Sequence, residues 1–460
     1  MDGNRRPVSP ITPDPQDDLF GAESLVAQIN DIDTDASAKR IFKLIEKLYP
    51  LCRSITGDGL RESLQILCES CPLQISELAS GTRVFDWEIP REWNIRDAYV
   101  KNMAGEHVID FAKNNLHVVN YSSPISRRMS LEELRPHLHT LPEKPDWIPY
   151  RTSYYAADWG FCLSHNDYLA LGEGDYDVHI DATLEPGSLT YGERILDGSS
   201  EDKVLLFAHT CHPSLANDNL SGMAMLAELA NILAPMSRKY TYHFVFAPAT
   251  IGSISWLSQN ESDLAKINHG LVASVVGDAG DMHYKKTRSE CADIDRAAAH
   301  VLEHSGEPYQ ILDFSPWGYD ERQFCSPGIG LPIGRLTRTP NGMYPEYHTS
   351  ADDLTLVRPE YLAKSLQTYL HILCCLETDR VYRNLQPKGE PQLGRRGLYR
   401  KMGGFQDIAE TQLAMLWMLN MSDGTHSVLD IAIRSGISYL KLHSAATALR
   451  ENNLLELIKD

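Results

Sequence analysis

Residues 204–222 read VLLFAHTCHPSLANDNLSG, five apolar residues running straight into two histidines, an aspartate and a Ser-Gly pair. The apolar run is too short for a helix and lacks alternation, which is the pattern of a strand covered on both faces. A helix is predicted behind the loop, from about Leu220 to Leu233. The same texture recurs downstream: HFVFA (243–247) precedes a short helix near Ile254, and LVASVV (271–276) precedes a helix over about Ile294 to His304. Buried strands alternating with amphipathic helices predict an α/β fold with a mixed, largely parallel sheet flanked by helices. Ligands of such sheets sit at the carboxyl ends of the strands. The residues that follow each apolar run are therefore the ones to read for chemistry.

After VLLFA come His209, His212 and Asp218, imidazoles and a carboxylate of the kind that hold zinc. A lone histidine in such a loop is more often a structural hydrogen-bonding residue, and Asp218 could simply cap the following helix. LVASVV ends in GDAGD, which puts Asp278 where a second metal-binding carboxylate is expected. The stretch PEYHTSADD (345–353) adds His348, with Asp352 and Asp353 placed to cap a following helix or to orient the imidazole. Each element has a bland explanation alone, and their joint order within one α/β domain points to a metal site.

Outward from this domain, residues 1–36 are rich in Pro, Asp and Ser and are predicted to be a disordered tail. The α/β domain takes residues 37–82 and 199–380. Residues 83–198 break into short β-type runs with many aromatics, among them Trp87, Trp93, Tyr154, Tyr155 and Trp159, and are predicted to be an inserted β-rich domain. Those aromatics suit either a lid over the pocket or the core of a small β module. A Gly/Arg/Pro-rich linker (381–404) leads to a C-terminal unit (405–460) of three predicted helices with a turn at Ser435-Gly436, the pattern of a winged-helix domain.

The chain of 460 residues carries 62 acidic against 43 basic groups, a net charge of -19. That balance disfavours nucleic acid as a partner, and the C-terminal unit is itself net acidic, so protein contact or self-association is expected of it. No apolar run approaches the ~18 residues that cross a bilayer, and the first residues lack the apolar core of a secretory signal, so a cytoplasmic protein without membrane attachment is expected. Nine cysteines without a repeated spacing, Cys68 and Cys71 included, fit reduced thiols. There is no Gly-rich phosphate loop and no G-x-S-x-G turn, which argues against kinase, nucleotide-binding and serine-hydrolase functions.

The order of a histidine loop, Asp-Asn-x-Ser-Gly before a helix, Gly-Asp after a strand and His-Thr-x-x-Asp near the domain end resembles the zinc aminopeptidases with two co-catalytic metal ions. The stretches FDWEIPREWNIRDAYV, NLHVVNYSSP, IPYRTSYY, WGFCL, CHPSLANDNLSG, YDERQFCSPG and PEYHTSADD are more closely similar to a bacterial group of aminopeptidase-like proteins. That group occurs with polysaccharide and natural-product biosynthesis and carries an inserted domain and a C-terminal winged helix. The resemblance implies Asp218 as bridging ligand, Asp278 as the later aspartate and His348 as the final histidine. Strand alignment makes His209 the first ligand, whereas the Cys-His-Pro-Ser pattern favours His212.

One departure bears on the chemistry. The zinc aminopeptidases place Glu-Glu after the second strand, as general base and metal ligand, whereas here APATIGS supplies Ala249 and Thr250. Neither can do those jobs. The expectation is then one or two zinc ions, with Glu346, two residues before His348, or Glu321, in YDERQF, as the base. The predicted function is a zinc-dependent amide hydrolase of aminopeptidase type acting on a small peptide or aminoacyl biosynthetic intermediate. The alternative is a catalytically altered scaffold that binds through the winged helix.

Overall fold

The computed structural model describes residues 25–398 and 405–458. Two compact units emerge: residues 33–235 with 240–370, and, of the described residues, 25–32, 236–239, 371–398 and 405–458. The predicted disordered tail over residues 1–36 does not hold from residue 25 onward. Residues 25–30 are helical, and Asp33 caps a helix over Thr34–Leu48 by accepting the Ala36 N–H at 2.8 Å. Residues 1–24 of that tail lie outside the described residues.

The first unit is built on an eight-stranded sheet. In chain order its strands are β1 (Gln74–Ala79), β2 (Ser188–Leu196), β3 (Lys203–His209), β4 (Thr241–Ala247), β5 (Ile267–Ala273), β6 (Met282–Lys285), β7 (Tyr309–Leu312) and β8 (Ile333–Thr337). Their spatial order is β1-β2-β4-β3-β5-β8-β6-β7. The central neighbours β4, β3, β5 and β8 run parallel, as the unbroken apolar runs require. The pairs β1/β2, β2/β4 and β6/β8 are antiparallel. Register places His209 beside Ala247 and Phe207 beside Val272, so the carboxyl ends of β3, β4 and β5 open at one edge of the sheet.

Helix Gly222–Leu233, predicted from the same run, is buried over nearly its whole length, as an apolar helix beneath a sheet must be. Its first residue has to be glycine, because a Cβ there would lie 2.6 Å from the Ala273 carbonyl oxygen at the end of β5. β5 is shorter than the LVASVV run suggests: it stops at Ala273, and Val275, at φ 45°, turns the chain away before Asp278.

The insert is smaller than residues 83–198, because Ser188–Leu196 is strand β2 of the large sheet. What remains centres on a four-stranded antiparallel sheet, ordered His107–Asp110, Glu92–Asn102, Asp175–Glu185 and Ile125–Ser130. Trp93 is buried in its core and donates its indole N–H to the Ser122 carbonyl. Trp87 and Tyr155 meet edge to face at the exposed surface, and Trp159 stacks on His137.

In the second unit, helices Phe405–Met421, Val428–Ser435 and Tyr439–Glu451 pack with a three-stranded sheet ordered Asp423–Ser427, Val381–Asn384 and Leu455–Leu457. The middle strand falls within the predicted linker, and the last falls within the predicted third helix. Asn453, at φ 54°, reverses the chain there so that Leu455 can pair with Asn384. Gly436, at φ 66°, ends the second helix at the predicted turn. Among the described residues all nine cysteines are free, and no helix is long and apolar enough to cross a membrane.

Candidate metal centre

Asp218 is fully buried at the focus of three imidazoles. His209, the last residue of β3, meets its Oδ1 through Nε2 at 2.9 Å, and His348 meets its Oδ2 through Nε2 at 3.0 Å. His212 Nδ1 lies 3.5 Å from Oδ2 and 3.2 Å from the Asp218 carbonyl oxygen. The ligating atoms of His209, His212 and Asp218 all lie within 4.8 Å of one another. Both histidines between which sequence reading left the choice open therefore belong to the cluster.

The loop that carries Asp218 is fastened from behind. Asp352 accepts the backbone N–H of Asn217 at 2.6 Å and of Asp218 at 3.0 Å. It caps no helix, because the next helix starts only at Pro359. Burial is the largest force on Asp352 and, with the negative Asp218 nearby, pushes its carboxyl up to about 8 against the pull of those N–H groups. Asn219 donates to the Ala273 carbonyl at 3.0 Å and accepts the Val275 N–H at 3.2 Å, tying the loop to the end of β5.

Asp278 is not brought into the cluster. Its Oδ2 accepts from the Asn217 amide at 2.9 Å, and its Oδ1 from the Thr339 hydroxyl at 2.5 Å and the Gly280 N–H at 2.7 Å. A carboxylate so occupied holds Asn217, one residue before Asp218, in place. Glu321 likewise faces elsewhere: it is buried against Lys285 at 2.8 Å and Arg335 at 3.6 Å. Glu346 is part-exposed two residues before His348, and its carbonyl accepts the N–H and the hydroxyl of Thr349.

The insert reaches the site. Tyr150 lies edge-on to His212 and to His348, with ring centroids 5.2 and 5.1 Å away. Its N–H donates to the His348 carbonyl at 2.8 Å, and the Ser350 N–H donates to the Ile148 carbonyl at 2.8 Å. Those bonds flank His348, which sits at φ 55°, a left-handed conformation uncommon for non-glycine residues and concentrated at functional sites. Of the aromatics read as either lid or core, Tyr154 touches Tyr150 through a hydroxyl contact at 3.0 Å.

Two further residues escaped sequence reading. Arg53 is buried and donates Nε to the His212 carbonyl at 2.9 Å. Asp320 is buried beside the Glu321 that reading singled out, and accepts the Ser253 hydroxyl at 2.6 Å. Tyr150 stands within the IPYRTSYY stretch, but nothing local marks it apart from its neighbours.

The charge state of Asp218 and of two of the three imidazoles fits a cation. Burial opposes the charge on Asp218, yet His212 and the imidazole hydrogen bonds outweigh it and hold the carboxyl well below its ordinary range. Burial keeps His209 and His348 below the ordinary histidine value, so their rings are neutral at neutral pH, the form that ligates metal. For His212 burial works the same way but is outweighed by Cys211 and Asp218, which raise it. Three imidazole nitrogens and a carboxylate aimed at one buried point form a donor set that suits zinc.

The profile of a domain of unknown function, DUF4910, matches residues 42–379, and that of a winged helix-turn-helix matches residues 380–457. A Clostridium acetobutylicum protein, provisionally described as a polysaccharide biosynthesis protein with an aminopeptidase-like domain, is 52% identical over 418 residues, covering 91% of this chain and 96% of its own. A crystal structure from C. acetobutylicum, provisionally described as a peptidase, superposes with a TM-score of 0.90 at 49% identity, covering 95% of this chain and 100% of that one. The zinc aminopeptidase of Bacillus subtilis, 13% identical, shares the fold with a TM-score of 0.54 over 73% of this chain and 94% of its own. The expected aminopeptidase-like α/β fold and C-terminal winged helix are thus both present, and the chain belongs to the DUF4910 family.

Proposed function

We propose that this protein is a zinc-dependent amide hydrolase that removes an aminoacyl group from a small peptide or a biosynthetic intermediate. The observation that carries this reading is the convergence of His209, His212 and His348 on the single buried carboxylate of Asp218 at a strand's carboxyl end. When bound, zinc supplies Lewis acidity toward the scissile carbonyl and acidity to the attacking water. The chain's own part is to hold the donors rigid: Asp352 positions Asp218, Arg53 the His212 backbone and Tyr150 the His348 backbone. The ring edge of Tyr150 also packs against His212 and His348. The description of the C. acetobutylicum relative adds weight to a sugar-linked intermediate as substrate.

Metal content per chain, measured on protein purified without chelator beside His348→Ala, tests the site. One or two zinc ions in the parent and a clear loss in the variant support the reading. No zinc, even when it is supplied, overturns it. A second reading, a zinc-binding scaffold without turnover, is favoured by Ala249 and Thr250 where the zinc aminopeptidases carry glutamates. Parent protein that holds zinc but hydrolyses no member of a broad aminoacyl-amide panel would establish that reading instead.

A further inference from the structure

The turn after β4 bears Ala249 and Thr250, so no carboxylate comes from there, and among the described residues no hydrogen bond or ion pair joins Glu321 or Glu346 to the cluster. A different carboxylate lies against that turn. Asp320 is fully buried, and its Oδ1 accepts the hydroxyl of Ser253 at 2.6 Å. Ser253 stands in the first turn of helix Ile251–Gln259, three residues beyond Thr250, and its hydroxyl also contacts the Thr250 carbonyl oxygen at 2.8 Å. The flanking residues bracket the place. Tyr319 stacks its ring on His209 with centroids 5.1 Å apart, and Arg322 Nη2 approaches the Thr250 hydroxyl at 3.5 Å. The segment 319–322 thus runs from the histidine cluster to the turn that lacks its glutamates.

Among the described residues Asp320 Oδ2 has no hydrogen-bond partner. A buried carboxylate oxygen left unpaired costs on the order of 1–3 kcal/mol or more, which makes it a candidate for work done when another molecule arrives. Glu321 Oε2 is likewise unpaired, but Lys285 and Arg335 meet Glu321 at Oε1, whereas Asp320 Oδ1 has one hydroxyl donor and, among the described residues, no ion pair.

We propose that Asp320 is the proton acceptor of the hydrolysis, supplying from the segment before β8 the carboxylate that the turn after β4 lacks. The assignment rests on the hydrolase reading above. As the water oxygen bonds to the carbonyl carbon, one water proton passes to Asp320 Oδ2. The carbon–nitrogen bond then breaks, that proton moves to the departing nitrogen, and a carboxylic acid and a free amine leave a regenerated carboxylate. Burial, the neighbouring Glu321 and the opposing pull of Ser253, Arg322 and His212 set Asp320 at about 7, the range in which a carboxyl both takes and returns a proton near neutral pH.

The test compares the parent, Asp320→Asn and Asp320→Glu for zinc content, thermal midpoint and the pH profile of kcat/KM on a panel of aminoacyl 4-nitroanilides with zinc supplied. Expected is parent-like zinc content in both variants, a loss of kcat of about 10²–10⁴-fold in Asp320→Asn, disappearance of the acidic limb of the profile, and partial recovery in Asp320→Glu. Parent-like kcat and an unchanged acidic limb in Asp320→Asn would overturn the assignment while leaving the hydrolase reading intact. Loss of zinc from Asp320→Asn would overturn it in favour of a ligand role. A parent that binds zinc and turns over nothing in the panel would overturn the hydrolase reading, and the assignment with it.

Discussion

Tyr150, which belongs to the insert, donates its backbone N–H to the carbonyl of His348 at 2.8 Å and presents its ring edge to the same imidazole at 5.1 Å. A domain interrupting the α/β chain thus sets the backbone of a site residue. The Tyr150 ring edge also stands against His212, with centroids 5.2 Å apart.

Tyr150→Ala keeps the backbone N–H bond to His348 but removes the ring edge packed on His212 and His348, and is expected to lower zinc affinity about 10-fold, the low end of what loss of a group that orients a ligand costs. It should also cost about 3–5 kcal/mol of stability, because the ring is buried. Tyr150→Phe keeps the ring and the backbone bond and loses only the contact with Tyr154. Competition with a zinc chelator should return a near-parental affinity for Phe and a weakened one for Ala; equal affinities in all three would show that the Tyr150 ring does not orient the ligands.

Asp278→Asn separates support from ligation. The Asp278 carboxylate is occupied by Asn217, Thr339 and Gly280, so its amide variant should retain the parent's zinc stoichiometry while melting earlier, by about 1–3 kcal/mol for the disturbed buried hydrogen bonds. A fall of one zinc per chain in metal analysis would return Asp278 to the ligands.

Glu321→Gln removes the anion between Lys285 and Arg335, both buried. Leaving those cations without their partner should cost roughly 3–5 kcal/mol. Urea denaturation is expected to show that loss, and turnover per folded molecule should stay within a few-fold of the parent. A selective loss of turnover at parental stability would reinstate Glu321 as a proton acceptor.

His443, in the C-terminal unit, is buried, and burial together with Arg380 and Arg450 lowers its pKa to about 4. Above about pH 6.5 the ring is neutral in folded and unfolded chains alike, and it contributes no pH dependence. As pH falls from 6.5 toward 4 the unfolded chain takes up the proton first, so stability is lost on acidification, by about 2 kcal/mol at pH 5. Thermal melts between pH 7.5 and 5 should show this slope in the parent and a shallower one in His443→Gln; identical slopes would exclude His443 as the cause.

The strand run 204–208 and its histidine loop were legible because burial on both faces leaves an unbroken apolar pattern, and His209 follows it directly in the chain. Asp218 was legible through the Asp-Asn-x-Ser-Gly motif before a helix. Asp278 sat where a ligand was expected, yet its carboxyl is turned to Asn217 and Thr339 by contacts that no local pattern encodes. Glu321 and Asp320 are adjacent, and sequence reading chose the one whose charge is met by Lys285. The strands Ser188–Leu196 and Val381–Asn384 were missed at domain edges, because pairing with a distant strand, rather than periodicity, made them strands.

Local patterns therefore specified the α/β class, the order of buried strands and the residue types at their carboxyl ends, since side-chain burial repeats along a few residues of chain. Only the folded chain decided which of those side chains meet. His348 and Asp218 lie 130 residues apart and touch at 3.0 Å, and whether a carboxylate is free or tied depends on neighbours brought in from equally far along the chain.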